Sequence, residues 1–252
     1  MNLRFFLFFF APFISNYLGA EVDLPTSEEL SKLEKKYSEI DRTCTKRILK
    51  NSVDISSFSS RGDARLFLGD FKGARLDYEK MIELNPNLEL SHWRLGITYF
   101  YLSEFKMASR QFEIYHQFDE VDRENGIWRF MSQFQLSGLN KARKDLLRYS
   151  QDDRPPYPWL YSMFAGEISP EDVFDRIKQQ HFPPQYEVRV LFHANLYVGI
   201  YLELTEEDPQ RAMNYLAHAT ANQYGRSTGT YMWQVARLHH ARLVRSVQKL
   251  QN

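Results

Sequence analysis

The sequence predicts an all-α fold, a solenoid of stacked helix pairs closed by a C-terminal capping helix, and three observations predict it. Alanine recurs at a step of 34 residues at Ala74, Ala108 and Ala142, and leucine does the same at Leu68, Leu102 and Leu136. Between these positions the apolar residues fall at helical spacing, whereas no stretch alternates as a strand does. A sustained step of this length, with room for two helices, is the mark of a repeat architecture. The composition agrees. At 43% hydrophobic and 25% charged, the 252 residues are globular rather than disordered, collagen-like or multi-span membrane.

The first element is MNLRFFLFFFAPFISNYLGA, with one cation (Arg4), an apolar run from Phe5 to Ile14 and a small-residue end. That layout predicts a signal peptide over residues 1–20, cleaved after Ala20, and a secreted or periplasmic protein. The run is shorter than the roughly 20 apolar residues a membrane span needs. Cys44 is the sole cysteine, so no internal disulfide can form and none is available for lipid attachment at the cleavage site. It reads as a small buried hydrophobe. In the N-terminal helical segment, 21–54, the capping-box sequence TSEE (Thr26–Glu29) opens a helix to about Arg42.

The repeats occupy 55–156. In SHWRLGITYFYLSEFKMASRQF, residues 91–112, Gly96 and Ala108 stand where two helices cross, letting Tyr99 and Phe112 interlock. Gly62 and Ala74 hold the same places one step earlier. GDF (Gly69–Phe71) and SEF (Ser103–Phe105) supply a turn followed by an aromatic plug, and Pro86 in LNPN ends a second helix.

These residues resemble the tetratricopeptide repeat, with three units over about 55–156. The resemblance implies a right-handed superhelix whose first helices line a concave surface that receives a peptide or protein. The third unit departs from the pattern. Phe130 replaces the glycine of Gly62 and Gly96, and Gly138 is displaced by one residue, so a wider crossing or a compensating shift is expected there.

The proline-rich QDDRPPYPW (151–159) connects the repeats to the C-terminal region, 157–252. A fourth, degenerate copy is legible over 192–223, with one extra residue between Gly199 and Ala212, accommodated in the TEEDPQ turn. SPED (Ser169–Asp172) starts another helix. The last helix, 231–250, carries Met232, Val235, His239, Leu243 and Val247 near one face and is expected to cap the array.

No catalytic, cofactor or metal motif occurs. His239 and His240 are adjacent and diverge by about 100° on a helix, so they cannot easily share an ion. DEVDRENG (Asp119–Gly126) is the densest set of acids and bases, and it reads as a polar repeat junction rather than a catalytic pair. The expectation is a non-enzymatic interaction adaptor with no cofactor.

With 32 acidic and 32 basic residues, wholesale nucleic-acid binding is not indicated. Downstream of Asp208 every charge is basic, and the basic last helix is a candidate for weak contact with an anionic surface. Carried over by the resemblance, the groove positions are Ser56, Ser59, Ser60, Asp63 and Phe67 in the first unit, Trp93, Arg94, Ile97 and Tyr101 in the second, and Trp128, Met131 and Gln135 in the third. The lysine and asparagine pattern that some such proteins use to grip a terminal carboxylate is missing. An aromatic face with one cation suits extended or apolar segments, held by anchors such as Trp93 and Trp128. Exposed rings would also suit sugars, so an envelope carbohydrate or peptidoglycan binder is the alternative.

Overall fold

The computed structural model describes residues 22–151, 153–205 and 209–251. The expected signal peptide and the acidic part of the TEEDPQ turn lie outside them. The described residues form thirteen α-helices and one 3-10 turn, without strands, and the fold is an all-α solenoid.

Helix α1 spans Ser27–Lys50, eight residues beyond the expected end near Arg42. Its start is the Thr26–Glu29 capping box. It runs on because Tyr37, Ile40, Cys44 and Ile48 keep facing the next helix through the last two turns. Cys44 is a free, buried cysteine whose thiol pKa burial pushes up.

Two regular pairs follow, α2 (Ile55–Leu68) with α3 (Phe71–Leu84) and α4 (Trp93–Tyr101) with α5 (Phe105–Phe118). Their crossings need glycine. A Cβ on Gly96 would lie 2.7 Å from Cζ of Phe112, and one on Gly62 would meet the Tyr78 ring just as closely. Ala74 and Ala108 are fully buried on the opposing helices. The aromatic plugs are seated too, with Phe71 stacked on Tyr101 at 4.9 Å and Phe105 edge-on to Phe100 at 5.6 Å. Between the pairs, Pro86–Ser91 forms the 3-10 turn. Asp77, 1% exposed, ties α3 to α2 through Arg61 and Arg65, and Arg65 also reaches Asp41 on α1.

The third pair breaks down after one helix. α6 (Arg123–Ser137) is full length, but α7 stops after six residues, Leu139–Lys144. Ala142 is buried, as its repeat position requires. Phe130, however, fills the space a glycine would leave, and its ring meets Phe164 at 5.1 Å instead. Phe164 belongs to α8 (Tyr157–Ala165), which together with α9 (Pro170–Gln179) occupies the flank a longer α7 would have covered.

The fourth pair is α10 (Pro184–Thr205) and α11 (Pro209–Ala221). Gly199 faces Leu216, seventeen positions later, where Gly62 and Gly96 face residues sixteen positions later; a Cβ there would lie 2.8 Å from Cγ of Leu216. A short α12 (Gln223–Thr228) leads to α13 (Tyr231–Gln251).

The array curves until its ends meet. Arg226 on α12 bonds Asp23 and Glu29 at the start of α1. α13 packs on α11, covering the end of the last pair, and also reaches α2.

Candidate functional site

Helix α13 occupies the concave face. Tyr231 sets its ring against Phe67 at 4.9 Å and Trp93 at 4.8 Å, with its hydroxyl 3.4 Å from that of Tyr78. Arg237 donates to the carbonyl of Phe67 at 2.7 Å. One turn on, the buried His239 lies between Tyr101, whose hydroxyl is 2.9 Å from Nδ1, and Glu203, which bonds Nε2.

The expectation of an open aromatic groove is corrected accordingly. Of its assigned residues, Trp128, Ile97, Tyr101 and Met131 are buried. Arg94, the expected free cation, is held by both oxygens of Asp63 at 2.8 Å and by Ser59. Gln135 is exposed on a different part of α6 and does not line the cavity described below. Trp93 alone of the aromatic set keeps a half-buried ring at an opening. The physical reason is coverage: α13 sets Tyr231 against Phe67 and Trp93 and His239 against Tyr101, while Tyr197 of α10 covers Trp128.

What α13 leaves open is a cavity of ≈ 310 Å³ between α4, α6, α10, α12 and itself. Rings of Trp93, Tyr224 and Tyr231 stand at its rim, and Trp128 forms part of its wall. Its polar side comes from the start of α6. Asp122 caps that helix by accepting from the N–H of Glu124 at 3.0 Å. The Glu124 carboxylate accepts from the hydroxyl of Tyr197, which in turn accepts from Nε1 of Trp128 at 3.1 Å. Tyr157 pairs with Nδ1 of His193 at 2.9 Å. The connector delivers Asp153, which bonds the N–H of Arg123 at 3.2 Å and pairs with Arg154 at 3.0 Å.

Burial and crowding of like charge perturb these groups. Burial, then the neighbouring Asp122, raises Glu124 to about 7; burial, then Asp153, raises Asp122 to about 6. Burial, then the charges of Arg154 and Arg189, lowers His193 to about 3. At neutral pH His193 is therefore neutral and the carboxyl pair holds part of its protons. Perturbed carboxyls in a cleft make it a candidate functional site.

Asp122, Glu124, Arg154, Arg189, His193 and Tyr224 were not among the residues that sequence reasoning singled out for binding. The density of DEVDRENG was visible, but its helix-capping chemistry and its site chemistry use the same residue types. The others lie on elements up to a hundred residues away. No group of metal-ligating side chains that could hold an ion occurs among the described residues, and no helix there is long and apolar enough to cross a membrane.

No family model matches the chain. Among solved structures, that of a MamA RS-1 ArsTM double mutant is similar over 78% of this chain and 97% of its own, with 14% identity and a TM-score of 0.40.

Proposed function

We propose that this chain is a non-enzymatic protein-interaction adaptor of the tetratricopeptide type, working in the cell envelope or secretory space, and that it takes a partner's segment at the mouth of the central cavity. One observation carries the reading: α13 lies on the concave face and leaves an aromatic-rimmed opening beside the first helices of the repeats. Half-buried rings at a rim are the residues that anchor partners most strongly, because they bury large area at little cost in side-chain entropy. The envelope location rests on the N-terminal sequence pattern.

The test is capture from the secreted or periplasmic fraction by the chain and by a Trp93→Ala/Tyr224→Ala variant. Both residues are half-buried, so the melting temperature is expected to fall only slightly. Loss of a specific protein with the folded variant supports the cavity mouth as the interface; undiminished capture places the interface elsewhere. Retention on envelope polysaccharide without any protein favours the carbohydrate alternative.

A further inference from the structure

The cavity has two electrically different sides. On the α6 side stand the acceptors Asp122 and Glu124. On the α10 side stands Arg189, whose guanidinium lies 5.8 Å from the centroid of the Tyr224 ring and makes no ion pair among the described residues. Arg154 also lines the space, paired with Asp153 at 3.0 Å and shared with Asp122 and Glu124, so three carboxyls face one cation on that side. His193 lies near both arginines and stays neutral above about pH 5. One side therefore has more carboxyls than cations and the other an arginine without an anion, within a space at the lower limit of small-ligand pockets, about 300 Å³. A ligand carrying both charges would meet the half-buried Arg189 and the carboxyl pair at once, and so would be favoured over one meeting either.

We infer that the cavity binds a residue carrying both an ammonium and a carboxylate, the ammonium against Asp122 and Glu124 and the carboxylate against Arg189, with its aliphatic part between the rings of Trp93 and Trp128. Two sources share this chemistry: a free α-amino acid, and a lysine at the C-terminus of a peptide. The inference rests on the reading of the cavity mouth as the recognition site and specifies what enters it. An arriving ammonium favours the ionised carboxyls and so releases protons. The groups facing Glu124 from other elements are Tyr157 on α8, Tyr197 and His193 on α10, and Asp153 and Arg154 on the connector. The tyrosines stay protonated and His193 stays neutral, so release between pH 5 and 8 belongs to Asp122 and Glu124.

The experiment is calorimetric titration of the full chain with four probes: L-norleucine, Nα-acetyl-L-lysine, Nα-acetyl-L-lysine amide, and Nα-acetyl-L-norleucine amide. Binding of norleucine identifies the free amino acid as the source, and binding of Nα-acetyl-lysine identifies the C-terminal lysine. In either case the probes lacking a charge should bind at least tenfold more weakly. Affinity should rise severalfold from pH 5 to 8 in the parent and rise less in Glu124→Gln, where Asp122 alone titrates, while Arg189→Gln should erase the preference for acid over amide. Equal binding of all four probes would reduce the cavity to an apolar slot and overturn the inference, as would no binding at millimolar concentration. Neither result touches the capture test with the rim variant, so the adaptor reading stands or falls separately.

Discussion

The second and third helix pairs share a register and part company at one residue. Gly96 lets α5 lie against α4 with Phe112 over the bare backbone. Phe130 stands at the same place in the third pair, and α7 ends after six residues. The first case yields a closed, dry helix crossing. The second leaves residues 145–151 and 153–156 outside any helix, and among them Arg154 lines the cavity with Asp153 paired to it. The comparison teaches that a lapse in the repeat is what furnishes this site: with α7 cut short, the chain returns through the connector, which brings Arg154 to the cavity.

The largest expected effect comes from the residue that causes the difference. Phe130→Ala removes a ring that is 1% exposed and seated on Phe164, and should cost about 3–5 kcal/mol in urea unfolding. It should not lengthen α7, since α8 already holds the flank; a gain in helical signal by circular dichroism would contradict that account.

Next in size is a contrast between two arginines. Arg94→Gln strips Asp63 of its partner in a largely covered place and should cost about 2–3 kcal/mol, whereas Arg189→Gln, which breaks no ion pair, should stay within about 0.5 kcal/mol. Equal costs would mean that Arg189 is structural.

Gly96→Ala tests the regular pair from the other side. Its Cβ would press on the Phe112 ring, for an expected loss of about 1–3 kcal/mol by the same measurement. A neutral result would show that α4 and α5 can separate without cost.

The finest test is pH dependence. Glu124 is raised from 4.5 to about 7, so the folded state binds more protons than the unfolded chain in that window, and stability falls as pH climbs through it. Glu124→Gln should flatten this fall and be more stable than the parent at pH 8 by roughly 1–3 kcal/mol. His193 acts in the opposite sense, since its depressed pKa removes stability as pH drops from 6.5 toward 3. Both proteins share that slope, so their difference isolates Glu124. Parallel curves would remove Glu124 from the titrating pair.

Much of the architecture was legible because its determinants are local or periodic. The capping boxes at Thr26 and Ser169 and the crossings at Gly62 and Gly96 depend on residues within about twenty positions of one another. The end of α1 was misplaced because Cys44 and Ile48 are weak markers until α2 is present to cover them. The exposure of the groove residues was not legible. Burial of Tyr101 is completed by His239 on α13 and that of Trp128 by Tyr197 on α10, both far away in the chain.

By itself, then, the sequence determined the helix pairs, their step and the last helix's apolar face, since side-chain size and periodicity act through near neighbours. Tertiary structure alone decided that this face turns into the concave surface, and that Asp122, Glu124 and Arg189 share one cavity. Long-range burial and charge proximity depend on how far the array curves, and that is the sum of many small crossing angles rather than the property of any one segment.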